Sequence, residues 1–181
     1  MKKNLPNYLT VSRGALTLFI IVLFFADISD KYAIILILFI LASATDFFDG
    51  YLARRWRTVS EFGKMFDPLF DKILTMSMYF FLFSFSGMPK LVFILLFLRE
   101  LIVDGLKNYL LYKGIVTPAI FTAKLKTFFQ ILMIIFALLA LVYPGTDLLM
   151  IMTNYLGIMA VGLAYWSGAI YLQKFLKLFK A

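Results

Sequence analysis

The chain has 181 residues, of which 63% are hydrophobic and only 15% are charged, and its formal net charge is +8. This composition is too apolar for an ordinary soluble domain of that length, and it predicts helices that lie in lipid. The sequence contains no cysteine and no histidine, which excludes disulfides, thiolate or imidazole metal ligands and serine-histidine-aspartate triads. Any metal must therefore bind to oxygen ligands.

Apolar stretches long enough to cross a bilayer predict six transmembrane helices, since one crossing takes about 20 residues. The N-terminal basic flank is not followed by a short apolar core and a small-residue cleavage site, so we expect the first helix to stay in the mature protein. The helices are predicted at residues 8–26, 33–52, 67–86, 91–112, 119–142 and 148–173. The predicted fold is all-α, a polytopic membrane protein.

Basic residues are distributed unevenly between the two ends of these helices. Six crossings place both termini on one side. The loops on the opposite side contain only two basic residues, Lys31 and Lys90. The basic residues on the first side include Lys2, Lys3, Arg13, those of the 54–64 loop, Lys107, Lys113, Lys124, Lys126 and the C-terminal lysines. This bias predicts cytoplasmic termini, although contact with anionic lipid also explains the terminal lysines. The scattered charges do not indicate a nucleic-acid partner.

Four aspartates flank the predicted 54–64 loop. Asp46 and Asp49 are three residues apart, and Asp67 and Asp71 are four apart, so each pair lies on one face of its helix. A short connection makes the two helices antiparallel neighbours, and the four carboxylates can then converge. Such a cluster is repulsive unless cations compensate its charge, and hard oxygen ligands suit Mg²⁺ or Mn²⁺. We therefore predict a site for two divalent cations.

Two other interpretations of the aspartates remain. Asp67 before Pro68 could cap the third helix, and an aspartate of the first pair could bond Arg54 or Arg55. Alternatively, a cation transporter could place carboxylates inside a helix bundle. All four lie at one membrane boundary, however, and the middles of the first, fifth and sixth helices contain no acidic residue. These facts favour a metal site at the membrane surface.

Small residues adjoin the first aspartate pair. Gly50 and Ala53 follow Asp46 on the same helical face, which leaves room for a large ligand. Arg54 can direct its guanidinium at a phosphate, and Gly63 permits a tight entry into the third helix. Close helix packing and snorkelling of the arginine are the simpler alternatives.

The full spacing resembles the signature of the CDP-alcohol phosphatidyltransferases. It reads Asp46-x2-Asp49-Gly50-x2-Ala53-Arg54-x8-Gly63-x3-Asp67-x3-Asp71, and every fixed position matches. The resemblance implies one transmembrane domain of that family over residues 1–181, with its active site at the cytoplasmic ends of the helices. It also implies a bacterial cytoplasmic membrane location and a homodimer.

In that family an alcohol attacks the lipid-side phosphorus of a CDP-linked lipid, and CMP leaves. Carried over by position, Asp46, Asp49 and Asp67 would hold one cation, and Asp46, Asp67 and Asp71 would hold the other. Asp71 would also be the general base. These roles are implied by the resemblance.

Further positions are expected to contact the CDP-lipid. Three of them match family positions that bind the cytidine diphosphate, and polar residues spaced by three on the first helix could lie near the same pocket, although helix-start chemistry also explains Asn7. The candidates are Gly50, Ala53, Arg54, Ser60, Asn7 and Thr10.

The acceptor is indicated by segments outside the signature. Residues 4–13 (NLPNYLTVSR), 99–106 (RELIVDGL) and 123–130 (AKLKTFFQ) resemble a bacterial branch of the family, the phosphatidylglycerophosphate synthases, although many of these have glycine where Ala123 stands. This implies CDP-diacylglycerol as donor and sn-glycerol 3-phosphate as acceptor. Inositol phosphate, serine and phosphatidylglycerol remain alternative acceptors. The candidate ligands of the acceptor phosphate are Arg99, Lys107, Lys124 and Lys126.

Overall fold

The computed structural model describes residues 5–56, 61–85, 87–115, 117–118 and 120–177, without the side chains of residues 5–9, 46–56 and 61–65. This part of the chain folds into six α-helices and contains no strand. The helices are α1 (Leu5–Phe25), α2 (Lys31–Trp56), α3 (Glu61–Phe83), α4 (Lys90–Tyr112), α5 (Phe121–Val142) and α6 (Asp147–Lys177). The prediction of an all-α fold with six helices is confirmed.

The predicted 54–64 break is largely helical. Helix α2 continues to Trp56 and α3 already begins at Glu61, so Pro68 lies inside α3. Apolar residues at 62, 65 and 66 follow the i, i+3, i+4 pattern of one helix face, which extends α3 toward its N-terminus. The alternative that Asp67 caps the third helix is therefore wrong, because this aspartate stands nearly two turns inside it.

The chain divides into two compact units. Unit 1 comprises Met1–Leu82 and Leu138–Gly145, and unit 2 comprises Phe83–Ala137 and Thr146–Ala181. Unit 1 thus contains α1, α2, nearly all of α3 and the end of α5, while unit 2 contains α4, most of α5 and α6. The prediction of a single domain over residues 1–181 stays a prediction.

In unit 1 the first and third helices run parallel and in register. Near their starts, Gly14 faces Phe70, and near their ends the rings of Phe24 and Phe81 stack with centroids 4.1 Å apart. Helix α2 packs against α1. Its second residue, Tyr32, lies beside Phe81 with ring centroids 6.3 Å apart, so α2 begins where α3 ends. Helix α2 is therefore antiparallel to α3, as predicted.

Unit 2 repeats this arrangement with α4 and α6, which pack against each other. Gly157 faces Val92 at one end, Gly168 faces Val103 further along, and the rings of Tyr109 and Phe175 meet at 5.2 Å. These contacts advance together along both helices, so α4 and α6 are parallel. Because glycine has no side chain, α6 can approach α4 closely at these positions, as is common between membrane helices.

Two helices of the described chain, Phe121–Val142 and Asp147–Lys177, are long and apolar enough to cross a membrane. Shorter apolar segments occupy Thr10–Phe25 and Lys31–Thr45. Many large apolar side chains are exposed, among them Leu18, Phe80 and Trp166. This is the surface expected of helices that face lipid, whereas the number of crossings and the cytoplasmic orientation stay predictions.

Candidate functional site

The signature aspartate Asp67 is held by two side chains of α1. Its Oδ1 atom accepts a hydrogen bond of 2.7 Å from the Thr10 hydroxyl and another of 2.7 Å from Nη2 of Arg13. The Arg13 side chain is 0% exposed, whereas that of Asp67 is 37% exposed. No described residue donates a hydrogen bond to the second carboxylate oxygen, Oδ2. The carboxylate is thus anchored through Oδ1, and the side chain stays partly exposed.

Close packing of α1 on α3 brings these groups together. A Cβ atom added at Gly14 would lie 2.7 Å from Cζ of Phe70, so any other residue would displace that ring. Gly14 directly follows Arg13, and Phe70 lies three residues after Asp67. Because Gly14 has no side chain, α1 and α3 lie close enough for Arg13 to reach Asp67.

Asp71 lies one turn beyond Asp67 on the same face of α3, as the spacing of four residues predicts. The backbone carbonyl of Asp71 accepts a hydrogen bond of 3.0 Å from the Thr75 hydroxyl. Two aspartates of the signature thus share one face in the first half of α3.

The remaining signature residues lie outside the described side chains. Asp46, Asp49, Gly50, Ala53 and Arg54 belong to the last turns of α2, whose backbone is helical to Trp56. The CDP-lipid candidates Asn7 and Ser60 also lie outside the described side chains. Among the side chains that are described, no three acidic residues form a group that could hold a metal. The described side chains include only two of the four aspartates, Asp67 and Asp71, so the metal site stays a prediction.

The donor set nevertheless suits a hard cation. Only oxygen ligands are available in a chain without cysteine and histidine, and Asp67 presents an oxygen that no described donor occupies. Carboxylate oxygens of this kind are the ligands that Mg²⁺ and Mn²⁺ prefer.

In unit 2, Arg99 ties α4 to α6. Its Nε donates to the Ala164 carbonyl at 2.9 Å, and its Nη2 donates to the Ser167 hydroxyl at 2.6 Å. Its Nη1 contacts Glu100 at 3.4 Å. The Arg99 side chain is only 4% exposed, so these groups replace the water that a surface guanidinium would bind.

Glu100 ties α4 to α5. Its Oε1 accepts hydrogen bonds from Nζ of Lys126 and, at 3.2 Å, from Nε2 of Gln130. Lys126 and Gln130 are both buried and stand four residues apart on one face of α5. The buried cluster contains two cations and one carboxylate, so it has a net positive charge.

The four acceptor candidates have different environments. Arg99 and Lys126 are joined through Glu100, whereas Nζ of Lys107 lies 4.7 Å above the ring of Tyr171. Lys124 is exposed. The structure therefore brings two of the four into one cluster and leaves their role in phosphate binding a prediction.

Sequence reasoning missed two contributors to these clusters. The charge bias accounts for Arg13 through topology, although its spacing of three residues from Thr10 places both on one helix face. Glu100 lies in the segment RELIVDGL and could have been found as an ionisable residue inside a predicted membrane helix, where such residues usually serve a function.

Comparison with known proteins defines the class. The model of the CDP-alcohol phosphatidyltransferase family matches residues 3–166. The chain therefore belongs to this family, and the resemblance seen in the signature is confirmed.

Individual relatives share one name, CDP-diacylglycerol–glycerol-3-phosphate 3-phosphatidyltransferase. The protein from Rickettsia typhi (strain ATCC VR-144 / Wilmington) is 43% identical over 128 residues, covering 71% of this chain and 72% of the relative. That from Rickettsia bellii (strain RML369-C) is 38% identical over 147 residues, covering 81% and 80%. That from Bacillus subtilis (strain 168) is 36% identical over 141 residues, covering 71% and 73%.

Proposed function

We propose that this protein transfers the phosphatidyl group of CDP-diacylglycerol to sn-glycerol 3-phosphate, giving phosphatidylglycerophosphate and CMP, a step of phospholipid biosynthesis. The observation that carries the proposal is the complete family signature in a chain whose relatives are named for this donor and this acceptor. The open carboxylate of Asp67, fixed at the signature, supports it.

Helix register supports convergence of the two aspartate pairs. Tyr32 and Phe81 are neighbours, and α2 and α3 run in opposite directions. Asp46 follows Tyr32 by fourteen residues and Asp67 precedes Phe81 by fourteen. At a rise of about 1.5 Å per residue, both backbones then lie about 21 Å from the Tyr32–Phe81 contact. The two pairs therefore come to the same level of unit 1.

The ligands of the metal centre are those that the family resemblance implies. Asp46, Asp49 and Asp67 would hold one divalent cation, and Asp46, Asp67 and Asp71 the other. When bound, Mg²⁺ or Mn²⁺ neutralises the pyrophosphate and polarises the attacked phosphorus.

The transfer itself is a direct displacement. A hydroxyl oxygen of glycerol 3-phosphate bonds to the lipid-side phosphorus, the bond from that phosphorus to the bridging oxygen breaks, and CMP leaves with that oxygen. Asp71 accepts the proton of the attacking hydroxyl. Because the protein holds both substrates together, no covalent enzyme intermediate is required. Gly50, Ala53, Arg54 and Ser60, with Asn7 and Thr10 from α1, contact the CDP moiety.

Acceptor binding is assigned to the basic groups of unit 2. The guanidinium of Arg99 has five N–H donors, of which the described contacts use three, and the ammonium of Lys126 has three, of which they use one. The net charge of their cluster favours a phosphorylated acceptor over a neutral alcohol. Lys107 and Lys124 add further positive charge.

The cellular setting completes the proposal. The protein lies in the bacterial cytoplasmic membrane with its termini and active site facing the cytoplasm, where CDP-lipid and glycerol phosphate are supplied, and it forms a homodimer. The apolar exposed surface and the charge bias of the sequence support the membrane location and its orientation.

The test is release of CMP from CDP-diacylglycerol by the purified protein in detergent with Mg²⁺ or Mn²⁺. Reactions contain glycerol 3-phosphate, inositol phosphate, serine, phosphatidylglycerol or no acceptor. We expect CMP release only in the reaction that contains glycerol 3-phosphate. Release with another acceptor would retain the donor chemistry and overturn the acceptor, and folded protein that releases no CMP in any reaction would overturn the proposal.

A further inference from the structure

We propose that Arg13 and Thr10 are positioning residues for the metal centre. They clamp Oδ1 of Asp67 and thereby present its other oxygen, Oδ2, to the divalent cations. This inference rests on the metal site of the proposed function, and it assigns to α1 a role in that site besides contact with the nucleotide.

The geometry of the clamp is that of a fixed support. Two donors from one helix meet on a single carboxylate oxygen, each at 2.7 Å, and they come from residues 54 and 57 positions away in the chain. Thr10 and Arg13 are almost completely buried, so neither side chain can turn toward solvent without unpacking α1. The rotamer of Asp67 is therefore set by α1 and not by its own helix alone.

The sequence of α1 is arranged for this contact. Thr10, Arg13, Gly14 and Thr17 share one face at spacings of three and four residues. Gly14 admits the ring of Phe70 and so brings the helices together. The Thr17 hydroxyl donates to the Arg13 carbonyl at 2.8 Å, a bond within α1 that does not reach Asp67.

Two physical roles for Arg13 predict opposite changes in metal affinity. If its charge only relieves repulsion among empty carboxylates, it competes with the cations, and its removal tightens metal binding. If its hydrogen bond orients Asp67, its removal weakens binding, because groups that orient a metal ligand typically contribute about 10–100-fold in affinity or activity. The double anchoring of Oδ1 and the accessibility of the carboxylate favour the second role.

The experiment is a Mn²⁺ titration of the full-length protein in detergent without substrates, followed by calorimetry and by the electron paramagnetic resonance of free Mn²⁺. We expect Arg13→Met to bind Mn²⁺ about 10–100-fold more weakly than the wild type, and Thr10→Val to show a smaller loss in the same direction. Thr17→Val is the matched control, since it removes a buried hydroxyl from the same face without touching Asp67, and its affinity should equal that of the wild type.

Unchanged or tighter Mn²⁺ binding by Arg13→Met would overturn the clamp. If Arg13→Met loses its helical circular dichroism, Thr10→Val decides alone, and wild-type affinity in that variant would overturn the clamp as well. Wild-type protein that binds no Mn²⁺ would also overturn it. Because the titration needs no substrate, failure of phosphatidyl transfer in a protein with the expected Mn²⁺ affinities would count against the proposed function and leave the clamp standing.

Discussion

Each unit of this protein buries an arginine between two parallel helices, but the partners of the two arginines differ. In unit 1, Arg13 bonds a carboxylate that is 37% exposed. In unit 2, Arg99 bonds a carbonyl, a hydroxyl and Glu100, whose side chain is only 14% exposed. The first arrangement holds a carboxylate that stays partly exposed. The second joins three helices and keeps its charges inside.

This difference predicts different consequences when the carboxylate of each cluster is removed. A carboxylate with one anchored and one accessible oxygen can bind a cation, and its loss should affect reaction more than folding. A buried cluster in which every charge has a partner responds to the loss of one member mainly through stability, because the remaining charges stay desolvated. Loss of the carboxylate in each unit should therefore be detected in a different assay.

The largest effect is expected at the signature. Asp71→Asn removes the proposed general base and proposed metal ligand while it keeps the shape of the side chain, so kcat for CMP release should fall by roughly 10³-fold or more. Asp147→Asn, at the exposed start of α6, is the matched control and should retain wild-type turnover. Comparable turnover in both variants would remove Asp71 from the chemistry.

The next largest effect is expected in unit 2, in the buried cluster of Arg99, Glu100 and Lys126. Glu100→Ala leaves Arg99 and Lys126 buried without their carboxylate, and such losses cost about 3–5 kcal/mol of stability. Unfolding in a detergent titration should detect the loss.

Adding Lys126→Met to Glu100→Ala removes one of the stranded charges and should restore part of the stability. A single Glu100→Ala variant as stable as the wild type would show that the cluster does not hold unit 2 together.

A smaller effect is expected where α1 meets α3. A Cβ atom at Gly14 would overlap the ring of Phe70, and overpacking of this kind typically costs about 1–3 kcal/mol. Gly14→Ala should therefore unfold more readily than the wild type, and Mn²⁺ affinity should fall with it because the clamp is displaced.

Gly162 provides the control for this substitution. It lies inside α6 with open space where its Cβ would be, so Gly162→Ala should be neutral or stabilise the helix by up to about 1 kcal/mol. If both glycine variants had the same stability, the close approach of α1 to Phe70 would not matter.

The sequence predicted much of this protein because its strongest signals are local. Apolar runs marked the six helices, and fixed spacing placed Asp67 and Asp71 on one helix face. Tertiary partners could not be read in the same way. No local sequence pattern predicts that Arg13 contacts Asp67 across 54 residues or that Lys126 donates to Glu100, because both contacts depend on how the helices pack. The extension of α3 to Glu61 was missed because the charges of residues 54–64 outweighed its helical periodicity.

The same limit applies to the lysines of α5, and it leads to the smallest predicted effect. Spacing alone treated Lys124 and Lys126 as equivalent ligands of the acceptor phosphate, yet Lys124 is exposed and Lys126 is buried against Glu100. An exposed ion pair contributes about 0–1 kcal/mol and is screened by salt, so Lys124→Met should raise KM for glycerol 3-phosphate no more than about five-fold at low salt. That difference should vanish at about 0.5 M salt, where charges are screened within a few ångströms. Lys126→Met should give a larger increase in KM that salt does not abolish, because a buried pair is screened much less. Equal, salt-sensitive increases in both variants would show that the two lysines meet the acceptor in the same exposed environment.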